Sequence, residues 1–333
     1  MLRKPNILVV GSFVMDLIAT TERVPPAGQT VYGKDFHTAP GGKGANQALQ
    51  CARLGAHVTM VGCVGEDLFG QELLEIPRAA GVDLSHVLVR PGVHSGIGHI
   101  TLEVMEHTAQ NRIVVIPGAN RTLTVEELAW LRPCIGQFDM VLLQLEVPLE
   151  VNRTVARWAR EAGVPVSLNP APATDLDPEL LSQVTYLTPN EQEASMETGL
   201  PLRIGERGIQ RDDLKAIAAV LRKQTMGQII ITLGRHGSAL VLEDSIRYLP
   251  PVSMAHVADP TGAGDSFVAA LSVGLCMDLP LENAMQFATF TAALTVSRMG
   301  AMPSLPTLEE VLSLMRERQF QDFDLSLLDG LSQ

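Results

Sequence analysis

Short apolar runs recur along the chain, and most are followed by a longer stretch in which apolar positions return every three or four residues. Ile7 to Val10 is such a run, ending at Gly11-Ser12. The others are HVTMVG (57–62) before a helical pattern over 67–80, FDMVLLQ (138–144) before 149–162, VPVSLN (164–169), and VTYLT (184–188) before 190–198. A helical pattern over 211–225 precedes IIITLG (229–234), and 263–278 and 281–297 read as consecutive apolar helices. Strands alternating with helices predict an α/β fold, with a mostly parallel sheet covered by helices on both faces. Pro77 is expected to kink the second helix or end it early.

Two segments break the alternation. Residues 13–40 carry a short period interrupted by Pro25-Pro26-Ala27-Gly28, and in 95–116 ITLEV and RIVVI flank the polar stretch EHTAQN as in a hairpin. These two β excursions are expected to pair into a small separate sheet. The rest of 1–316 reads as one large domain, and the tail 317–333, charged and then sparse, is expected to pack weakly. Trp130 and Trp158 are expected on helix faces.

Composition narrows the function. Of 333 residues, 46% are hydrophobic and 19% charged, which excludes a disordered chain. The net charge of −12 opposes nucleic-acid or anionic membrane partners, and no stretch is long enough to span a bilayer. Cys51, Cys63, Cys134 and Cys276 form no C-x-x-C pair, so neither zinc nor a disulfide framework is expected. Together with the lack of a signal-like start, this predicts a reducing, cytoplasmic setting. The histidines show no H-E-x-x-H spacing and no G-x-S-x-G elbow is present, which sets aside metallohydrolase and serine-hydrolase chemistry.

Two glycine-rich segments carry the candidate chemistry. In Asp259-Pro-Thr-Gly-Ala-Gly-Asp265 a flexible turn feeds a helix, so the amides of Gly262, Ala263 and Gly264 would face an anion at the positive end of the helix dipole. Asp265 in the first turn could accept a proton from an attacking hydroxyl; an ordinary N-terminal aspartate would look the same. In Gly41-Gly-Lys-Gly-Ala-Asn46 the backbone can approach a ligand while Lys43 and Asn46 offer polar groups suited to a polyol; a plain helix start is the other reading.

Together, PGGKGANQA and DPTGAGDSFVAA, some 200 residues apart, resemble the two signatures of the PfkB carbohydrate kinase family. GSFVMD, LLQLE, LNPAPA, TPNEQE, ITLG and SRMGAMPS follow in the order of its ribokinase branch. The resemblance spans residues 6–312. It implies a ribokinase-like three-layer α/β/α fold with a small β-sheet lid formed by 13–40 and 95–116, and a homodimer built through that lid. It makes Asp265 the catalytic base, with Gly262, Ala263 and Gly264 stabilising the transferring phosphoryl group. Asp16, Gly42, Lys43, Asn46 and Glu146 would hold the sugar, and Asn190, Thr232, Gly234 and Gly264 the ATP. Asn190 and Glu193 would organise Mg²⁺. A monovalent cation, K⁺ in most relatives, would sit among Asp259, Thr261, Thr295, Arg298, Gly300 and Ser304.

The implied activity is transfer of a phosphoryl group from ATP to the primary hydroxyl of a pentose, with D-ribose expected. A deoxyribose or nucleoside kinase of the same fold, or a non-catalytic sugar-binding regulator, are the alternatives. Two positions depart from the resemblance. Val14 stands where the ribokinase branch commonly has Asn, and an apolar side chain discriminates weakly for or against a sugar hydroxyl. On the adenine side, Thr289 and Phe290 replace His and Ala.

Overall fold

The computed structural model describes residues 3–105, 108–205, 208–318, 320 and 325–331. The chain opens with β1 (Asn6–Val10), leaves the main sheet for β2 (Val14–Thr21) and β3 (Asp35–Gly41), and returns through α1 (Lys43–Arg53) to β4 (His57–Gly65), α2 (Leu68–Ala79) and β5 (Asp83–Arg90). A second departure forms β6 (Gly96–Met105) and β7 (Thr108–Ile116). There follow β8 (Met140–Leu143), α3 (Leu149–Glu161), β9 (Val166–Leu168), the single turn α4 (Pro178–Leu181), β10 (Tyr186–Leu187) and α5 (Glu191–Thr198). Next come the minimal hairpin β11 (Ile204–Gly205) and β12 (Gly208–Ile209), α6 (Arg211–Gln224), β13 (Gln228–Thr232), β14 (Ser238–Val241) and β15 (Ile246–Leu249). Helices α7 (Ala263–Cys276), α8 (Leu281–Val296) and α9 (Leu308–Glu317) complete the main elements.

The principal sheet runs β15-β14-β13-β10-β9-β8-β1-β4-β5, parallel from β5 to β13 and antiparallel only at the β14 and β15 edge. Central β1 explains the three layers. Ile7 and Val9 enter one apolar cluster with α1, α7 and α8, while Leu8 and Val10 enter the cluster beneath α3. A strand buried on both faces reads as an unbroken apolar run because each side chain meets a helix layer.

The two excursions pair as expected into a four-stranded sheet, β3-β2-β6-β7, joined at its centre by the parallel pair β2 and β6. The hairpin is tighter than its polar stretch suggested. Ladder pairs continue to Met105 opposite Thr108, so Thr108, Gln110 and Asn111 belong to a strand; residues 106–107 of the stretch lie outside the described ones. Polarity marks a turn only when the strand beside it is buried, and this one is not.

Three further expectations need correction. Among the described residues of the tail, Leu328 and Leu331 are buried in the principal cluster rather than weakly packed, with Leu325 packed against it. The three leucines are spaced by three, the period at which a 3₁₀ turn stacks its side chains, a pattern too short to stand out in sequence. Pro77 does not end α2 ahead of the pattern, because it falls in the last turn of a helix that runs on to Ala79. Trp158 does sit on α3, but Trp130 lies in a turn and stacks on His86 at 3.5 Å between ring centroids.

Candidate active site

The carboxyl ends of the parallel strands and the first turns of α1, α5 and α7 converge on one cleft. It has a volume of about 190 Å³ and is lined by Lys43, Asn169, Asn190, Glu193, Thr232 and Asp265 among others. Crevices at strand carboxyl ends are where open α/β sheets bind ligands, because helix N-termini and loop backbones meet there.

Gly262, with φ of +79°, turns the chain into α7. The expected anion hole needs one correction: the Ala263 amide donates to the Pro260 carbonyl at 3.2 Å. The amides of Gly262, Gly264 and Asp265 are the ones with no acceptor among the described residues. A Cβ built on Gly264 would meet nothing within 4 Å, so this turn opens onto the cleft. Amides left over at a helix start are a ready anion site.

Asp265 is buried immediately behind that turn. Its Oδ2 accepts from Asn46 Nδ2 at 2.8 Å and its Oδ1 from Gln47 Nε2 at 3.1 Å. Burial pushes its carboxyl above the ordinary range, against the Lys43 ammonium and the two amides. For Lys43, burial would lower the ammonium, but the carboxylates of Asp265, Glu146, Glu193 and Asp16 outweigh it and hold it above its usual value. A basic carboxylate and a fully charged ammonium thus share one pocket, the pairing that proton abstraction beside an anion requires.

The small sheet brings the remaining sugar-side groups. Asp16 on β2 lies over Gly98 of β6, so closely that a Cβ there would fall 2.1 Å from Asp16 Oδ1. Burial first, and then Glu146, pushes the Asp16 carboxyl up to about 6. Val14 is buried on the same face, its Cγ1 3.7 Å from that same Gly98 position, so positions 14 and 16 look into one space. Glu146 accepts from the Lys43 amide at 3.1 Å and from the Ser12 hydroxyl, so it also fixes the start of α1. Gly42, with φ of +97°, allows that sharp entry. Asn46 Oδ1 is buried with no donor among the described residues, which fits an incoming hydroxyl.

On the nucleotide side, β13 ends at Thr232, bridged to Asn190, and both line the cleft. Gly234 lies two residues farther, in the following 3₁₀ turn. Asn190 and Glu193 form a capping box: Asn190 Oδ1 accepts from the amides of Gln192 and Glu193, and Glu193 Oε2 accepts from the Asn190 amide. The Asn190 carbonyl is thereby taken, leaving its amino group and the second Glu193 oxygen. Burial raises the Glu193 carboxyl despite the Asn190 amide and Lys43. No cluster of three metal-binding side chains exists among the described residues. So sparse a set fits a hard cation that arrives with phosphates and keeps its waters. Phe290 is buried edge-on to Phe320, and the Thr289 hydroxyl spends its hydrogen on the Met285 carbonyl and can only accept from a ligand.

Most of the six positions assigned to a monovalent cation are expected to offer backbone carbonyl oxygens, Asp259 being the one informative side chain. Asp259 Oδ1 accepts from the Thr261 amide at 2.9 Å and from its hydroxyl at 2.6 Å, and Oδ2 from the Gly300 amide at 3.0 Å. Arg298 turns away to Glu310 at 2.6 Å, the Ser304 hydroxyl donates to Ala301, and that of Thr295 is buried against Ser266 and Thr291. What they build is a staple joining the loop before α7 to the loop after α8. No basic side chain pairs with Asp259 among the described residues, so its carboxylate, held by loop donors alone and set beside backbone carbonyls, is a donor set that suits a cation.

Sequence reasoning missed Gln47, Gln144 and Asn169. Gln47 donates to Asn169 Oδ1 as well as to Asp265, and accepts from Gln144 Nε2 at 2.6 Å. The available signal was a glutamine closing the apolar run FDMVLLQ, a buried strand end where a polar residue needs a reason.

A helix-bound anion hole, a buried aspartate, a paired lysine and a lid of polar side chains define a phosphotransferase acting on a hydroxylated small molecule. The sequence pattern of the pfkB family carbohydrate kinases matches residues 4–308, and the chain belongs to that family. It is 40% identical to the ribokinase of Bacillus subtilis over 310 residues, 93% of this chain and 99% of that one. It is 31% identical to a deoxyribokinase of Salmonella typhimurium over 306 residues, 92% and 97% of the two chains. The structure of Arabidopsis thaliana ribokinase complexed with ribose and ATP superposes with a TM-score of 0.83 at 33% identity, covering 94% of this chain and 99% of that one. The protein is therefore a sugar kinase, and its three-layer α/β/α fold with a small separate sheet is the one expected.

Proposed function

We propose that this enzyme phosphorylates the primary hydroxyl of D-ribose with ATP, giving the 5-phosphate. The observation that carries the reading is Asp265, buried yet aimed from the helix turn whose free amides would receive the transferring group. The ribose hydroxyls are held by Asp16, Asn46, Lys43 and the Gly41-Gly42 backbone, while Glu146 fixes the loop beneath them. Asp265 takes the proton from the attacking hydroxyl, and the amides of Gly262 and Gly264 with the Lys43 ammonium receive the charge that develops on the phosphoryl oxygens. Mg²⁺, held by Glu193 and Asn190 through water, would supply charge neutralisation on the nucleotide phosphates. A monovalent cation at the staple of Asp259 with the 295–304 loop would add positive field behind the anion hole; K⁺ is our expectation. Thr232 and Gly234 border the nucleotide.

Deoxyribose is the second reading, favoured by one observation: Val14 shares the Asp16 pocket and offers no hydrogen bond to a hydroxyl. Turnover with ribose against 2-deoxyribose decides between them; a sugar that binds with no ADP released in any pairing would leave only the regulator reading. For the assembly we propose a homodimer through the lid, where Ile113, Val114, Val115 and Ile116 of β7 are each about half exposed. Four free thiols suit the cytoplasm, where we place the enzyme; no helix of the described residues is long and apolar enough to cross a membrane.

A further inference from the structure

Four elements of the fold are joined behind the active site by a line of buried amide side chains. Asn152 Nδ2 on α3 donates to the Gln144 carbonyl at 2.6 Å, just beyond the end of β8. Gln144 Nε2 donates to Gln47 Oε1 at 2.6 Å, and Gln47 Nε2 on α1 donates to Asp265 Oδ1 at 3.1 Å. Asn152, Gln144 and Gln47 are fully buried, so water competes for none of these bonds.

The directions are forced by chemistry. A carboxylate only accepts, so Gln47 must turn its amino group toward Asp265; the second hydrogen of that group goes to Asn169 Oδ1, itself anchored by Asn169 Nδ2 on the Thr188 carbonyl. The Gln47 oxygen is then obliged to face Gln144. Turned over, the same side chain would set its oxygen against Asp265 and repel it. The two orientations have nearly one shape, so packing cannot choose between them; a donor placed opposite the oxygen can, and Gln144 is that donor. Gln144 in turn fits because position 11 is glycine: a Cβ there would lie 2.1 Å from Gln144 Oε1.

We infer that Gln47 and Gln144 form an orienting relay, Gln144 locking the Gln47 amide so that it presents its donor to Asp265 and aims that carboxylate at the sugar hydroxyl. Both are positioning residues, since neither lines the cleft. The relay gives a reason for two fully buried glutamines, whose placement costs stability wherever an amide atom is unpaired, as Gln144 Oε1 is among the described residues. It rests on Asp265 being the base.

The test is a cycle of full-length variants scored for kcat and, by calorimetry without nucleotide, for sugar affinity. Gln47→Met keeps the shape and removes the donor; kcat is expected to fall on the order of 10- to 100-fold, the scale of a misaimed catalytic group, with sugar affinity unchanged. Gln144→Met should lower kcat about 10-fold in the parent and not at all in the Gln47→Met background, since it acts only through Gln47. Equal losses in both backgrounds, or a loss seen in sugar affinity rather than kcat, overturns the relay. Should Gln47→Met not fold, Gln144→Met serves alone: a side chain of similar size with no donor leaves the Gln47 oxygen unheld, and parental kcat in that variant overturns the relay. Asp265→Asn separates the two readings, because near-parental turnover there removes the base itself, whereas an inactive Asp265→Asn beside a fully active Gln144→Met removes only the relay.

Discussion

Asp265 carries two demands that pull apart: it must be buried to be basic and hydrogen-bonded to stay ionised. Burial wins in raising its proton affinity, and Asn46, Gln47 and Lys43 limit the rise. Asp265→Asn should cut kcat by about 10²- to 10⁴-fold, the usual span for a general base, while calorimetry finds sugar binding largely intact. Asp16 has a different dependence. Its pKa of about 6 means that the ionised form, which accepts sugar hydroxyls, disappears as pH falls through 6, so kcat/KM for the sugar should fall there and Asp16→Asn should abolish that limb. At Val14, a hydrogen-bonding side chain would reach the same space; Val14→Asn should raise the ribose to deoxyribose ratio of kcat/KM by roughly 10-fold. An unchanged ratio would place residue 14 outside the pocket.

Among the elements, α7 does most for the chemistry. Its first turn leaves the Gly262, Gly264 and Asp265 amides open while its body is packed on all sides, with Ser266 to Gly274 buried. A rigid, dry helix with free amides at one end holds its donors in place without rearrangement during phosphoryl transfer. Gly264→Val points a side chain into the open space in front of those amides. It should reduce kcat/KM for ATP on the order of 10²-fold, checked by initial rates, with the thermal midpoint little changed. At α5 the capping box consumes the Asn190 carbonyl and one Glu193 oxygen, a cost invisible in the motif N-x-x-E itself, whose spacing suits a cap and a metal site equally well.

Whole-molecule stability should depend on pH in a direction that follows from the buried carboxyls. Glu197 is pushed up to about 7, burial being the first cause, and one of its oxygens has no donor. A carboxyl whose folded pKa lies above its unfolded value stabilises the fold while protonated, and that contribution is lost as pH rises through the folded value. Glu197 and Asp16 together should therefore make the protein lose stability between about pH 4 and pH 7. Glu197→Gln should raise the thermal midpoint at pH 8 by on the order of 2 °C and leave it unmoved near pH 4. At the scale of assembly, Ile113→Glu with Val114→Glu should halve the mass seen by light scattering if the lid joins two copies; an unchanged mass would locate the contact elsewhere.

Sequence by itself determined most of the central strands and the helices beside them, and the chemistry that is local to those elements. Buried strands announce themselves as apolar runs, α7 by its glycine turn, and Asp265, Lys43 and Asn46 by motifs whose members lie within one helical turn of each other. The parallel order of the sheet follows from the alternation of strand and helix. Only the tertiary structure decided what meets across the chain. That the Ala263 amide is spent on Pro260, that Asp259 is a staple, that the last leucines reach the core beside Gly55, and that Gln144 governs Gln47 all depend on contacts between residues far apart in sequence or on hydrogen-bond direction. Periodicity and motif spacing describe one segment at a time, whereas a donor is free or taken only with respect to what the fold sets opposite it.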